Sequence, residues 1–363
     1  MKVTTKEISQ LSGVSVSTVG MILNGNGARY SEKTRQKVLA AAERANWRPD
    51  LSARNLRLGR SFLIGVSLFE PNTGLMAKVM RGIQRELREA RYSAMFVSHN
   101  SRDEELECYQ LCKDHAVEGM IINPGFYANG SADGSTGAGN SSLDSIGKTP
   151  VVEIFGRAVA GAPAVNIDEF AAGKQATEYL LSLGHRRIAM FTHDRYDKAK
   201  DAGTGNHADA WHRYEGYRQA MIDAGGEPLV FTHAIHSEFD WEGVFVEGGL
   251  ASLAAILHHP SRPTAVVCMT DWEAMGLIRA AEMQKIDLPS QLSVIGYGDL
   301  QAAGLLQPRL TTFSVPAFEV GQRAARSLLQ LIKNESIEDV LVQPTLQIRG
   351  STAAVGGVPP VAE

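Results

Sequence analysis

Three short, separately capped helical stretches fill the first fifty residues, and that pattern leaves few folds open. Thr4-Thr5-Lys6-Glu7 is a capping box, a hydroxyl followed three residues later by a carboxylate. Ile8 and Leu11 follow at helical spacing. Ser12-Gly13-Val14-Ser15 breaks this helix, and Ser15 can cap the next. Val16 to Asn24 places Val19, Ile22 and Leu23 on an inner face, and Asn24-Gly25-Asn26-Gly27 is a strong stop. Ser31 caps a third helix with Val38, Ala41, Ala42 and Ala45 as its apolar stripe. Two short helices joined by a tight glycine-containing turn, braced by a third, form a helix-turn-helix. The second helix is then the reader, because its first side chains can reach base edges in the major groove.

Charge separates this head from the rest of the chain. Residues 1–60 carry eleven Lys/Arg and four Asp/Glu, a net of +7, whereas the whole 363-residue chain is at -4. A small basic module on an acidic body suggests a nucleic-acid reader attached to something else. Hydrophobic residues make up 44% and charged residues 21%, as in globular chains with a sizeable core. No stretch approaches the ~18 consecutive apolar residues of a membrane span. The start of the chain has no apolar leader core, and its three cysteines, Cys108, Cys112 and Cys268, suit a reducing compartment. A cytoplasmic protein is expected, with no membrane partner.

The head resembles the lactose repressor (LacI/GalR) family of bacterial transcriptional regulators. The match runs through Val3-Thr4, Glu7-Ile8, Leu11-Ser12-Gly13-Val14-Ser15-Val16-Ser17-Thr18-Val19 and Leu23-Asn24. It continues through Ser31-Glu32-Lys33-Thr34-Arg35, Trp47-Arg48-Pro49-Asp50 and Ser52-Ala53-Arg54-Asn55-Leu56. The resemblance places Val16, Ser17 and Met21 at base-reading positions. Thr18, Asn24, Ser31 and Thr34 fall at DNA-backbone positions, where hydroxyls and amides bond phosphate oxygens without reading sequence. It makes residues 51–57 a hinge that folds on the operator, with Ala53, Arg54 and Leu56 in the minor groove. Leu56 would wedge between base steps. Two residues depart from the pattern: Gly20 replaces a usual Ser, and Met21 stands where Arg or His is common. Met21 cannot make the bidentate bond to guanine, so Val16 and Met21 are expected on thymine methyls.

Beyond Phe62 the pattern changes to alternating strands and helices. Strands are expected at Phe62–Leu68, Ser93–Ser98, Gly119–Ile122, Val151–Phe155, Arg187–Phe191, Ala265–Cys268 and Leu292–Gly296. Helices are expected near Leu75–Arg91, Glu104–His115, Ala171–Leu183, Arg213–Ala224, Gly248–Leu257 and Trp272–Met283. Such alternation builds parallel sheets covered on both faces, with ligands beyond the carboxyl ends of the strands. Asn129–Asn140 and Thr192–Asp209 read as loops. Family resemblance continues through Ser182-Leu183-Gly184-His185-Arg186-Arg187-Ile188-Ala189, Arg213-Tyr214-Glu215-Gly216-Tyr217, Pro263-Thr264-Ala265, Thr270-Asp271 and Leu292–Asp299. It implies an α/β periplasmic-binding-protein-like body of two doubly wound subdomains. The expected organisation is a helix-turn-helix DNA-binding domain at 1–49 and a hinge helix and linker at 50–61. An effector-binding and dimerisation domain follows at 62–350, crossing between subdomains near 157, 288 and 319, with a frayed tail at 351–363.

The same resemblance proposes effector contacts. Arg213 matches an effector-binding arginine, and its fork suits vicinal hydroxyls or a carboxylate. Trp241 matches an aromatic that lies against the ligand, as an indole suits the apolar side of a sugar ring. Asn123 resembles a hydroxyl-binding amide, Arg157 fits the family pattern, and Asp299 is what remains of a usual aspartate pair at 298–299. Asp271 is either a ligand contact or the cap of the next helix. Leu75 and Met76 are either core or ligand wall. Gly156 and Gly298 stand where the family often has Asp, which argues for a different or smaller effector, or for altered geometry.

Enzyme signatures are not found. Ile146-Gly147-Lys148-Thr149 lacks the first glycine of a phosphate loop, and Pro150 follows where that motif needs a helix. Cys108 and Cys112 lack the partner ligands of a zinc site. The expected function is a sequence-specific DNA-binding transcriptional regulator, a repressor with no cofactor and no catalysis. It would act as a homodimer on double-stranded operator DNA under a small-molecule effector, a carbohydrate. The alternatives are a cytosolic sugar-binding protein with a vestigial DNA module, a nucleobase- or nucleoside-responsive regulator, and a small-molecule enzyme on a doubly wound fold.

Overall fold

The structure, a computed structural model, describes residues 3–47, 59–69, 74–124, 146–156, 161–196, 208–236 and 240–356. Contacts divide the chain into two units, Met1–Phe62 and Leu63–Glu363. Among the described residues no helix is long and apolar enough to cross a membrane.

The first unit holds α1 (Thr5–Ser12), α2 (Val16–Leu23) and α3 (Glu32–Arg44). Each begins at a hydroxyl that accepts an otherwise unbonded backbone N–H of the first turn. The Glu7 amide donates to Thr4 Oγ1 at 3.3 Å, and the Thr4 amide donates to Glu7 Oε2 at 2.6 Å, completing the box. Ser15 accepts from the Thr18 amide and Ser31 from the Thr34 amide, both at 3.3 Å. Gly13, at φ 66°, takes the left-handed turn that ends α1. Ile8, Val19, Ile22, Val38, Ala41 and Ala42 form the core.

The second unit runs β1 (Leu63–Phe69), α4 (Gly74–Glu89), β2 (Ser93–His99), α5 (Arg102–Asp114), β3 (Gly119–Asn123), β4 (Val151–Ile154), β5 (Ala164–Ile167) and α6 (Glu169–Ser182). It continues with β6 (Ile188–His193), α7 (Ala208–Asp223), β7 (Leu229–His233), α8 (Trp241–His258), β8 (Ala265–Cys268), α9 (Asp271–Met283) and β9 (Ser293–Gly298). A short 3-10 turn (Gln301–Leu305), β10 (Thr311–Ser314), α10 (Ala317–Ile332), β11 (Val340–Val342) and β12 (Thr345–Gln347) complete it.

Two six-stranded sheets result, ordered β11-β5-β4-β3-β1-β2 and β12-β10-β9-β8-β6-β7. Every pairing is parallel except β10 with β12. Helices cover both faces, so central strands such as β3 and β6 are buried along their whole length.

Of the passages expected near 157, 288 and 319, only the last has a passage of the structure beside it. The short strand β5 still belongs to the first sheet, so the chain first crosses at Asp168, before α6. Leu288 lies between α9 and β9, both in the second half, and nothing crosses there. The return comes between β10 and α10, whose Ala317, Val320, Ala324 and Leu328 join the first sheet's core. A third passage lies between β11 and β12. Asp168 ties two passages together: its amide donates to the Val342 carbonyl at 3.1 Å, and its Oδ2 accepts from Gln343 Nε2 at 2.9 Å.

The start of the expected frayed tail is instead part of the second half. Ser351 Oγ donates to the Val294 carbonyl at 2.6 Å, the Ala353 amide donates to Ser293 Oγ at 3.1 Å, and the Val355 amide donates to the Leu183 carbonyl at 3.1 Å. These bonds bury Ser351, Thr352 and Ala353. Thr192 and His193, expected in a loop, complete β6 because they pair with Thr232 and His233 of β7. The expected loop at 129–140 lies outside the described residues.

Candidate functional site

At the head, the start of α2 is open. Val16 is 47% exposed, Ser17 is exposed and Met21 is half-buried, while Val19 and Ile22 of the same helix face the core. The proposed backbone-contact side chains serve local structure first. Ser15 Oγ donates to Thr18 Oγ1 at 2.9 Å, Ser31 and Thr34 share a hydroxyl–hydroxyl bond at 2.9 Å, and Asn24 Nδ2 donates to the Gly20 carbonyl at 2.6 Å. Helix N-termini and hydroxyls held this way can still accept or donate outward. Ala53, Arg54 and Leu56 lie outside the described residues.

In the body, a buried polar cluster surrounds Arg213 on α7. Gly173 of α6 and Gly216 of α7 let the two helices touch backbone to backbone. A Cβ on Gly173 would lie 1.9 Å from the Arg213 carbonyl oxygen, and one on Gly216 would lie 2.0 Å from that of Phe170. The approach sets Arg213 beside Glu169, the first residue of α6, where the helix N-terminus favours negative charge. Arg213 Nε donates to Glu169 Oε2 at 2.9 Å and Nη2 lies 2.8 Å from the same oxygen. Nη1 donates to the Met269 carbonyl and sits 2.9 Å from the Met269 sulfur. The guanidinium stacks 3.5 Å over the ring of Tyr297, whose hydroxyl donates to Glu169 Oε1 at 2.8 Å. Burial alone would discharge the arginine, but Glu169 outweighs it and raises the guanidinium pKa. Burial raises the Glu169 carboxyl, and Arg213 pulls it back. Tyr297 packs against cores of both halves, so this triad sits at their junction.

Trp241 opens α8, next to its cap Asp240, which accepts from the Gly243 amide at 2.9 Å. Its ring lies 5.9 Å from that of Phe245, and Phe245 stacks on His193 at 6.1 Å. Among the described residues, Trp241 Nε1 and Thr192 Oγ1 are buried without a hydrogen-bond partner, at the carboxyl end of the second sheet. Buried polar groups rarely go unbonded.

The remaining expected contacts divide. Asn123 closes β3, with Nδ2 donating to the Ile154 carbonyl at 3.2 Å. Met76 is core of the first half and Leu75 packs against it, so both are better described as packing than as ligand wall. Asp271 does not cap α9: Thr270 does, in a capping box with Glu273. Instead, Asp271 accepts from Thr312 Oγ1 at 2.5 Å and from the Leu300 amide at 2.7 Å, and burial pushes its carboxyl up to about 6. Asp299 is held by Arg349 at 2.5 Å. Gly298 adopts φ 128°, a left-handed conformation closed to aspartate without strain, which accounts for glycine there. Arg157 lies outside the described residues. Glu169, Tyr297, Thr192 and His193 were not expected in the site. Nothing local marked Glu169, which stands 44 residues from its arginine.

Among the described residues, no group of three or more His, Cys, Asp or Glu could hold a metal ion. The three cysteines are free and buried, and burial pushes the Cys112 thiol up to about 11, far from a reactive thiolate.

A hydroxyl-capped three-helix reader followed by a two-sheet α/β body defines a DNA-binding regulator that carries a sensing domain. Residues 4–50 match bacterial regulatory proteins of the lacI family, and residues 177–352 match the periplasmic binding protein-like domain. The chain is 29% identical over 353 residues to the ribose operon repressor of Haemophilus influenzae, covering 96% of this chain and 98% of that protein. A solved lac repressor dimer, bound to operator and an anti-inducer, superposes with TM-score 0.79 at 21% identity, covering 98% of this chain and 100% of that one. A LacI family regulator from Enterococcus faecium with bound ribose superposes with TM-score 0.64 at 25% identity, covering 81% and 99%. The chain belongs to the lacI family of bacterial regulatory proteins.

Proposed function

We propose that this regulator is a cytoplasmic, non-enzymatic repressor that binds operator DNA as a homodimer and responds to a small carbohydrate held at the carboxyl ends of the body's strands. Residues 1–49 are the reader, 50–61 the hinge and the remainder the effector and dimer domain. Val16, Ser17 and Met21 read bases, while Thr18, Asn24, Ser31 and Thr34 hold the phosphates. Ala53, Arg54 and Leu56 of the hinge enter the minor groove. The observation that carries the sensing half is the pair of buried, unpartnered atoms, Trp241 Nε1 and Thr192 Oγ1. A sugar hydroxyl bonded there would remove the penalty of an unsatisfied buried donor, about 1–3 kcal/mol. Trp241 supplies the apolar face, and Arg213, Asn123, Arg157, Asp271 and Asp299 supply polar edges. The names of the H. influenzae and E. faecium relatives support a ribose-like ligand.

Dimerisation follows from the need to place two readers on half-sites about 34–36 Å apart. Leu305 is 83% exposed and Met283 66%, apolar side chains suited to a second copy. The effector acts by binding one closure state of the body better than the other, since a ligand shifts an equilibrium only by its differential affinity.

The test is a gel shift of the full chain on its own upstream DNA across a salt series, with and without D-ribose. Binding that weakens steeply with salt and changes with the sugar is the expected result. No retardation at low salt rejects the reader. Retardation unaffected by any sugar, with no thermal shift that Trp241→Ala removes, rejects the sensor.

A further inference from the structure

We infer that Glu169 dedicates Arg213 to an uncharged ligand and turns away the phosphorylated or acidic form of the same molecule. The inference deepens the effector reading above and rests on it. An arginine in a ligand site suits anions, because its planar fork offers two parallel N–H groups to a carboxylate or phosphate. In this protein the fork is already taken. Of the five N–H groups of a guanidinium, Nε and one on Nη2 serve Glu169 Oε2 at 2.9 and 2.8 Å. Nη1 is spent on the Met269 carbonyl and faces the Met269 sulfur at 2.9 Å. One face of the plane is covered by Tyr297 at 3.5 Å. A single Nη2 hydrogen is left, enough for one hydroxyl and short of the paired bond an anion takes.

Charge points the same way. Glu169 cancels the arginine at contact distance, and Asp209 Oδ2 lies a further 3.9 Å from Nη2. Asp271 is buried in the same half, and the positive Arg349 is matched by Asp299. A phosphate brought to Arg213 therefore meets no uncompensated positive charge among these groups, and it must leave water to get there. A sugar hydroxyl needs no countercharge. The pair is rigid as well as neutral: Tyr297 fixes Glu169 Oε1 at 2.8 Å, and Gly173 and Gly216 hold the two helices in contact. A ligand cannot draw Glu169 aside without breaking several buried bonds together.

The test measures each neutral compound against its own anion on the full chain, by thermal shift and titration calorimetry. The pairs are D-ribose and D-ribose 5-phosphate, D-glucose and D-glucose 6-phosphate, D-glucose and D-gluconate, and adenosine and its 5′-monophosphate. The neutral member of any binding pair should bind at least tenfold tighter. Glu169→Gln removes the countercharge and leaves Arg213 charged, although its amide oxygen can still accept from the fork, so it should narrow that ratio tenfold or more and shift the preference toward the anion. A wild-type protein that prefers the anion, or a ratio unmoved by Glu169→Gln, overturns the inference. If Glu169→Gln does not fold, the wild-type ratios decide alone. An anion whose binding Trp241→Ala abolishes would remove the charge filter and leave the effector site standing. If no member of any pair binds, both fall together.

Discussion

The head and the body of this regulator use polar groups in opposite ways. In the head, side-chain bonds are local and exposed: Thr4 with Glu7, Ser15 with Thr18, Ser31 with Thr34, each three residues apart. In the body, the bonds that shape the site are long-range and buried: Arg213 with Glu169, 44 residues away, and Asp271 with Thr312, 41 away. Local caps define helices and leave an outer surface free for DNA. Distant buried pairs fix how the body's helices and sheets meet. The two units are therefore expected to fail separately, and each by its own means.

The largest effect should come from Arg213→Ala. Removing one partner of a buried ion pair leaves the other charge uncompensated, a loss of about 3–5 kcal/mol. Chemical denaturation should show the body weakened by that order and the effector response gone. Stability within about 1 kcal/mol of wild type would mean that water already reaches Glu169.

Ile8→Ala strikes the head alone. Ile8 is fully buried in a core of six residues, and such truncations lower stability by about 2–5 kcal/mol. So small a module has little to spare. Operator binding should disappear while the sugar-induced thermal shift persists. Loss of both would erase the contrast between the units.

An acid titration sharpens the contrast from the body's side. Asp271 has its carboxyl raised from an ordinary 3.8 to about 6. Between those values the unfolded chain has released its proton and the folded chain still holds it. The body should therefore lose stability as pH rises from about 4 to about 6, then level off. Asp271→Asn should flatten this slope, and an unchanged slope would assign it to other groups.

The smallest expected effect is a gain. A Cβ on Gly20 would meet nothing within 4 Å, so Gly20→Ala should stabilise α2 by about 0.5–1 kcal/mol. Melting of the head reports it. Altered DNA affinity beyond that gain would show that position 20 approaches the duplex.

The same division sets how much could be read in advance. Residues 4–47 disclose their helices because each cap and its partner fall within one turn. In the body, β1, β2 and β6 and the short but wholly buried β3, β4 and β8 are readable as apolar runs, whereas β5, β7, β10, β11 and β12 are three to five residues long, mix in polar residues or lie at an edge, and carry no period of their own. The α10 helix, Ala317–Ile332, was not anticipated. It mixes small residues with Leu and Arg, and only its packing on the first sheet shows which face matters. Arg213 and Trp241 emerged through family resemblance. Their surroundings could not, because Glu169 and Tyr297 reach the arginine only once two helices and a second sheet are assembled.

Three strand-to-strand passages weave the two halves of the body, and the second of them closes the first half late. β11, at Val340–Val342, pairs with β5 and completes the first sheet, and α10 covers that sheet's core. On the ribosome, the earlier-synthesised lobe must thus wait, unfinished, until nearly all of its neighbour has emerged. A nascent chain arrested near residue 315 would hold most of the later lobe and lack both a wall and an edge of the earlier one. Excising either lobe as one continuous fragment would cut through the other.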